Sequence, residues 1–165
     1  MAEDGSLVCK GSGGGWLSTD KEFANFELEL EFRCPTDGNS GVFLRSPHEG
    51  DPAYTGMEIQ VIDDEGPQYK GKLQPWQYCG SLYDVSAAKT GAFTKANQWQ
   101  KYHILCDGRH VKIALNGQVI NDVNLGDHRD KEAKHPGIVR TTGYIGLQNH
   151  GSRMEYRNLR IKELP

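Results

Sequence analysis

The chain has 165 residues, enough for one domain with a substantial core, and we interpret residues 1–165 as a single domain. Its 19 basic and 22 acidic residues leave a net charge of −3, and no basic segment alternates with aromatic residues, so nucleic acid is not an expected partner. No apolar run is long enough to span a membrane, and the opening MAEDGSLV lacks the basic and apolar regions of a signal peptide.

Strand patterns dominate the chain. In ANFELELEFR (24–33), Phe and Leu alternate strictly with charged residues, as expected for a strand that covers a core on one face. The segment 110–122 contains Asn-Gly, the strongest short-range signal for a β-hairpin. Further strands are predicted, in chain order, at 40–47, 56–63, 80–87 (the weakest pattern), 99–107, 143–151 and 153–164.

Helical periodicity is missing from every segment longer than about two turns, and turn signals recur between the strands. These features predict an all-β fold, a sandwich or jelly roll. The segments 64–79 and 126–140 are long for loops of a β domain, and loops of that length are often functional or mobile.

Four cysteines are scattered along the chain without a CxxC pair, at Cys9, Cys34, Cys79 and Cys106. This spacing does not suit a zinc site. Buried free thiols are the simplest interpretation, because a reduced cysteine packs as a small apolar side chain. One or two disulfides in a secreted protein are the alternative.

The segment GMEIQVID (56–63) carries unusual polar residues. Alternation places Ile59 and Val61 in the core and points Glu58 and Gln60 to the opposite face. Glutamine has a low strand propensity and contributes little to the solvation of an exposed strand face, so this pair indicates the floor of a site. Alternation also points residues of other strands away from the core, namely Phe43, Arg45, Gly146, Gln148, His150, Glu155 and Arg157.

Some polar groups have plainer interpretations. The charged face of 24–33 is expected to be solvated, and Glu155 with Arg157 is expected to form a cross-strand ion pair. Glu58 and His150 are the main site candidates, with Arg45 and Gln148 beside them. The remaining histidines are assigned to the surface or to loops: His48, His103, His110, His128 and His135.

Asp63 has two possible positions. It lies five residues after Glu58, so a regular strand places the two carboxylates on opposite faces. A single β-bulge between them would bring Asp63 to the face of Glu58 and form a Glu–Gln–Asp row. Without a bulge, Asp63 begins the turn together with Asp64.

Several motifs occur in the order seen in one known family: DGSLVCKGSGGGWLST, FELELEFR, NSGVFLR, GMEIQVID, GSLYDV, NQWQKYHILCDGRHVKIALNGQVI and GYIGLQNHGSRMEYRNLRIKEL. Over essentially the whole chain, the sequence resembles the 3-keto-disaccharide hydrolase domain. This resemblance implies a concanavalin A-like, laminarinase-like jelly-roll sandwich of two antiparallel sheets with a concave carbohydrate-binding face. It also suggests a bacterial periplasmic or secreted protein.

Such domains are related to family 16 glycoside hydrolases, whose motif E-x-D-x-E, or E-x-D-x-x-E with a bulge, supplies a nucleophile and an acid. Here Gln60 stands at the middle acid, and Ile62 or Asp63 at the third position. A retaining glycosidase needs two carboxyls roughly 5–5.5 Å apart, so this chain departs from that mechanism. The resemblance instead implies cleavage of 3-keto-glycosides by C2 proton abstraction, elimination and hydration.

That reaction needs one general base and one electrophile that stabilises the enolate. Glu58 and His150 are the candidate catalytic residues, and either is suited to be the base. Arg45 or a divalent metal ion is the candidate electrophile, with Glu58, Asp63 and His150 as possible metal ligands. A saccharide is the expected partner, and its contacts are expected from Arg45, Gln60, Gln148, Asn39, Tyr83 and Trp76.

Two other functions stay open at this point: a non-catalytic carbohydrate-binding module on the same fold, and an ordinary family 16-like glycosidase. A carboxylate and a histidine on strand faces favour an enzyme, because simple sugar binders rely more on aromatic and amide side chains. A serine nucleophile has no support, since the chain contains no GxSxG motif.

Overall fold

The computed structural model describes residues 2–3 and 5–165, with side chains from residue 5 onwards. Its strands are β1 (Ala2–Glu3), β2 (Ser6–Lys10), β3 (Trp16–Ser18), β4 (Phe26–Arg33), β5 (Asn39–Ser46), β6 (Met57–Ile62), β7 (Trp99–Asp107), β8 (His110–Leu115), β9 (Gln118–Asn124), β10 (Tyr144–Gln148) and β11 (Arg153–Glu163). One short α-helix, α1 (Pro52–Thr55), precedes β6, and 3₁₀ turns occupy Pro75–Gln77, Leu125–Lys131 and Pro136–Val139.

The strands form two antiparallel sheets that pack face to face. The larger sheet has the order β1-β2-β11-β4-β7-β8-β9, and the smaller has the order β3-β10-β5-β6. The predicted all-β sandwich is therefore confirmed. Three strands escaped prediction. β1 has two residues, β2 has five, and β3 has three and follows a run of glycines, so none shows enough alternation to be recognised.

The core lies between the two sheets, on the faces that alternation assigned to it. In β6, Ile59 and Val61 are fully buried, and β4 presents alternating buried and half-buried residues along its whole length. Each fully buried aliphatic or aromatic side chain contributes about 2 kcal/mol. Among the core members that alternation names in the other strands, Leu147 is half-buried against the core, and the buried ones are Val42, Leu44, Ile145, Met154 and Tyr156.

The outer face of the larger sheet carries ion pairs between neighbouring strands. Glu31 of β4 binds Arg157 of β11 with an Oε2–Nε distance of 2.6 Å, and Arg33 pairs with Glu155. Glu155 and Arg157 do not pair with each other as predicted; each instead forms a cross-strand ion pair with a residue of β4. These side chains are partly exposed, so each pair adds little stability.

All four cysteines are free thiols, and three of them are buried, so the first interpretation of the cysteines is confirmed. Burial raises the pKa of the Cys79 thiol to about 12. Such a thiol stays protonated and is a poor nucleophile. Within the described part of the chain, no helix has the length and hydrophobicity needed to cross a membrane.

Candidate active site

A polar cleft of about 260 Å³ lies on the face of the smaller sheet that points away from the core. β6 and the end of β10 form its floor, and α1, the segment 64–79 and Tyr83 form its walls. Its polar lining consists of Asn39, Asp51, Tyr54, Glu58, Gln60, Tyr69, Gln77, Tyr83, Gln148 and His150.

A second cavity, of about 310 Å³, lies where the edges of the two sheets meet. Its lining includes Leu7, Cys9, Leu17 and Leu147, and none of its lining residues is a carboxylate or a histidine. Because acid–base chemistry needs titratable groups near neutral pH, we place the candidate site in the smaller polar cleft, which has them.

The segment 80–83 runs along the free edge of β6 and extends the floor. Gly80 N donates to Gln60 O at 2.9 Å, Gln60 N donates to Ser81 O at 3.0 Å, and Tyr83 N donates to Glu58 O at 2.9 Å. This pairing explains the weak strand pattern predicted at 80–87. It also fixes the backbone of Tyr83 against the residue that carries the candidate base.

Glu58 is the central group of the cleft. Its side chain fills the space above Gly41 of the neighbouring strand: a Cβ atom at Gly41 would lie 2.7 Å from Glu58 Cδ and closer still to Oε1. Glu58 is 5% exposed, and no group among the described residues donates a hydrogen bond to its carboxyl. Burial, and secondarily the charge of Asp51, raises the pKa of Glu58 to about 8.

The raised pKa predicts a pH-dependent stability difference between the wild type and Glu58→Gln. The folded pKa of about 8 lies above the ordinary value of 4.5, so the folded state retains a proton that the unfolded state loses. The wild type therefore loses stability as the pH rises from 4.5 to 8, by roughly 4 kcal/mol in all. Glutamine cannot ionise, so residue 58 of the variant does not lower the free energy of unfolding as the pH rises.

Urea unfolding of both proteins at pH 5 and pH 9 measures the effect. We expect Glu58→Gln to gain free energy of unfolding relative to the wild type at pH 9. An equal difference between the two proteins at both pH values would contradict a raised pKa at Glu58.

Amide groups line the floor beside Glu58. Gln60 is buried, and its Nε2 donates to Asn39 Oδ1 at 3.4 Å. Asn39 is also hydrogen-bonded to Tyr69 through their side chains. The Oε1 atom of Gln148 is buried without a hydrogen-bond partner among the described residues, and a buried acceptor of this kind favours a ligand that donates to it.

Most of the site residues predicted from the sequence meet in this cleft. Glu58, Gln60, Gln148, His150, Asn39 and Tyr83 all line it. His150 lies beyond the end of β10 and is exposed, in contrast to Glu58. Trp76 is not in the lining. Its ring packs edge-to-face against Tyr83 at a centroid distance of 5.3 Å, so it supports the wall rather than forming it.

Asp63 lies outside the cleft. The pairing of β5 with β6 runs without a shift from Asn39↔Ile62 to Leu44↔Met57, so no bulge rotates the strand. Asp63 is buried in the turn, where its Oδ2 accepts a hydrogen bond from Asp37 N at 3.0 Å. Ile62 takes the third position of the row and lines the cleft instead.

The position of Asp63 also bears on the metal candidates. Glu58 and His150 remain in the cleft, but the third predicted ligand does not join them. Across residues 2–3 and 5–165, no three His, Cys, Asp or Glu residues come together in an arrangement that could hold a metal ion. The side chains present therefore do not fit the predicted metal site, and we derive no step through a metal.

Arg45 also differs from its predicted position. It has φ +49, and the pairing of β10 with β5 shifts register next to it, so alternation fails at this residue. Its guanidinium is buried away from the cleft. Nε donates to Ala24 O at 2.8 Å, Nη1 donates to Gly108 O at 2.6 Å, and Nη2 donates to Asn25 Oδ1 at 3.1 Å.

These contacts predict a structural effect for Arg45→Lys. A lysine cannot reach several acceptors in different directions, so buried carbonyl groups lose their donors, at a cost of about 3 kcal/mol. We expect a clearly lower denaturation midpoint in urea at constant pH. The matched control is Arg160→Lys on the exposed part of β11, which should change the midpoint little. Equal midpoints for both variants would contradict this role of Arg45.

Sequence reasoning missed several residues around the cleft. Asp51 caps α1 by accepting from Ala53 N at 3.0 Å, and its Asp-Pro sequence is a recognisable helix start. His135 was assigned to the surface or a loop, but it is only 1% exposed. It binds Asp84, which is far from it in sequence, so no local pattern could have identified the pair.

A cleft on one sheet of a β-sandwich, lined by amides, tyrosines and one buried carboxyl, offers hydrogen-bond partners suited to a polar ligand such as a saccharide. The chain belongs to the 3-keto-alpha-glucoside-1,2-lyase-like domain family, whose model matches residues 1–162. The family relationship expected from the motifs is therefore confirmed. The chain is 28% identical to a 3-keto-disaccharide hydrolase of Bacteroides thetaiotaomicron, in a match that covers 98% of this chain and 69% of that protein.

Solved structures agree with this assignment. Two crystal structures of candidate glycosyl hydrolases from Parabacteroides distasonis superpose with a TM-score of 0.86 at 27% identity. Each match covers 99% of this chain, and the matches cover 89% and 82% of those proteins. The carbohydrate-binding module CBM66 from Bacillus subtilis, at 16% identity and a TM-score of 0.58, shares the fold and covers 96% of both chains.

Proposed function

We propose that this protein cleaves 3-keto-glycosides by elimination and hydration, and that the polar cleft is its active site. The observation that carries the proposal is Glu58: a buried carboxyl with a pKa of about 8, in a cleft lined by amide and phenol groups. A carboxylate of raised pKa is a stronger base than an ordinary one, as removal of a proton next to a ketone requires. Family membership supports the same substrate class.

The row on β6 argues against an ordinary retaining glycosidase. That mechanism uses two carboxyls on either side of the glycosidic bond, but Gln60 and Ile62 follow Glu58 on the cleft side of the strand. Asp51 is the other carboxylate of the lining. It belongs to α1 rather than to the sheet, and it is engaged as the helix cap.

The proposed reaction is an elimination followed by a hydration. Glu58 takes the proton from C2, and the C–H electron pair forms an enolate whose charge rests on the C3 oxygen. The enolate then collapses, a C1=C2 double bond forms, and the C1–O bond breaks with the leaving oxygen taking a proton. Water adds across the enone, placing its oxygen on C1 and a proton on C2, so the net change is hydrolysis.

Other cleft residues have roles suited to their positions. His150 is exposed at the mouth of the cleft, where an imidazole is suited to protonate the leaving oxygen. The amides of Gln60, Asn39 and Gln148 are suited to bind sugar hydroxyls, and the unpartnered Gln148 Oε1 is an acceptor for one of them.

The decisive test compares a 3-keto-glucoside with its unoxidised parent at equal concentration. Release of the aglycone from the keto compound alone is the expected result, because only the ketone acidifies C2–H. Release from both compounds would point to an ordinary glycosidase, and binding of either compound without release would point to a carbohydrate-binding module. Both of these outcomes would overturn the proposal.

A further inference from the structure

The position of Arg45 leaves the enolate without the stabilising group that the sequence predicted. Negative charge develops on the C3 oxygen as the proton leaves C2, and a hydrogen-bond donor aimed at that oxygen lowers the barrier. The cleft must supply this donor from other side chains. Its lining includes phenol groups whose hydroxyls make no hydrogen bond among the described residues, and Tyr54 is one of them.

Tyr54 lies on α1 and lines the same cleft as the candidate base Glu58. Besides burial, the charge of Asp51, which also lines the cleft, raises the pKa of both residues. Burial, followed by the influence of Tyr83, raises the pKa of Tyr54. The phenol therefore keeps its proton and remains a donor at any pH where Glu58 titrates.

The ring of Tyr54 packs against a buried pair formed by His135 and Asp84. The His135 ring stacks on it at a centroid distance of 4.6 Å with 30° between the planes. His135 Nε2 lies 3.1 Å from Asp84 Oδ2. Burial raises the pKa of Asp84, but hydrogen bonds from Lys134 and His135 outweigh that effect and hold the pKa below its ordinary value. The anionic carboxylate thus anchors the histidine.

The segment that carries His135 is itself fixed against α1. A Cβ at Gly137 would lie 2.6 Å from Gly56 Cα, so the 3₁₀ turn at Pro136–Val139 approaches the end of α1 with no room between the backbones. Lys131 Nζ also donates to Asp84 O at 2.6 Å. The His135 ring contacts Tyr54 directly, and the loop that carries it is fixed both to Asp84 and to the end of α1.

We infer that the Tyr54 hydroxyl donates a hydrogen bond to the C3 oxygen of the substrate as that oxygen becomes an enolate. His135 and Asp84 act through Tyr54 and are positioning residues. This inference rests on the proposed elimination and names the group that stabilises its charged intermediate.

Tyr54→Phe removes the hydroxyl and keeps the ring that His135 stacks on. We expect kcat for aglycone release to fall by about 100-fold with little change in KM, because the donor acts on charge that develops only in the reaction. Tyr144→Phe is the matched control, since Tyr144 stacks on His48 at 3.9 Å and does not line the cleft. Normal kcat in Tyr54→Phe, or a large loss in Tyr83→Phe alone, overturns the assignment.

The positioning role is tested at His135. His135→Phe keeps an aromatic ring against Tyr54, whereas His135→Ala removes it. We expect His135→Ala to lose most of kcat and His135→Phe to recover much of it, with both variants assayed below their measured denaturation temperatures. If the two folded variants have equal kcat, His135 does not act through the ring of Tyr54.

Exchange of the C2 proton separates this inference from the proposed function. In deuterium oxide, NMR follows loss of the C2–H signal of 3-keto-glucose. Wild-type protein that neither exchanges this proton nor releases aglycone overturns the proposed function and this inference together. If the wild-type protein exchanges the proton and releases the aglycone, and Tyr54→Phe exchanges the proton equally fast, only the role of Tyr54 is overturned.

Discussion

Glu58→Gln is expected to lower kcat for aglycone release from a 3-keto-glucoside by about 10³-fold, because an amide cannot accept the C2 proton. Initial rates at saturating substrate measure the loss. In the wild type, kcat/KM should rise with pH until about 8, since the base acts only when ionised and its pKa is about 8.

The control for this substitution is Glu155→Gln. Glu155 pairs with Arg33 on the outer face of the larger sheet, so the variant removes one carboxylate without touching the cleft. It should retain wild-type kcat. Turnover by Glu58→Gln at the wild-type rate would exclude Glu58 as the base and leave His150 as the candidate.

Gly41→Ala is expected to reduce turnover by about 100-fold through Glu58, without changing any catalytic group. The new Cβ would lie 2.7 Å from Glu58 Cδ, so the carboxyl must leave its place above β5. Backbone strain is not the cause, because Gly41 does not have positive φ.

Gly14→Ala is the matched control, since a Cβ there meets no atom within 4 Å and its φ is not positive. Circular dichroism and the denaturation midpoint should show that both variants are folded. A folded Gly41→Ala protein with wild-type kcat would contradict the close packing of Glu58 on Gly41.

Much of the fold could be predicted from the sequence because most strands show an alternation of apolar and polar residues within their own length. β4 shows strict alternation, and β7 was predicted with the bounds that the structure has. β3 could not be predicted in this way. It is a three-residue strand whose Trp16 ring packs onto Gly146: a Cβ there would lie 2.5 Å from Trp16 Cζ3 and closer still to Cε3. This contact joins distant parts of the chain.

The site was predictable only as far as alternation holds. It placed Glu58, Gln60 and Gln148 on one face because β6 and β10 are regular where these residues stand. It failed at Arg45, where a positive φ and a register shift turn the side chain away. Tyr54 and His135 meet through stacking between segments 81 residues apart in the chain, and local sequence carries no signal for such a contact.

The loop 126–140, which by its length is expected to be functional or mobile, is tied to the wall of the cleft through Asp84, Tyr54 and the end of α1. The wall is thus assembled before a sugar arrives. When a ligand binds a preorganised site, the protein loses little conformational entropy, so the cost of binding is small. Discrimination among sugars should then follow from the fixed shape of the cleft and from the hydrogen bonds it offers. Substrates that match both the shape and the hydrogen bonds should dissociate slowly.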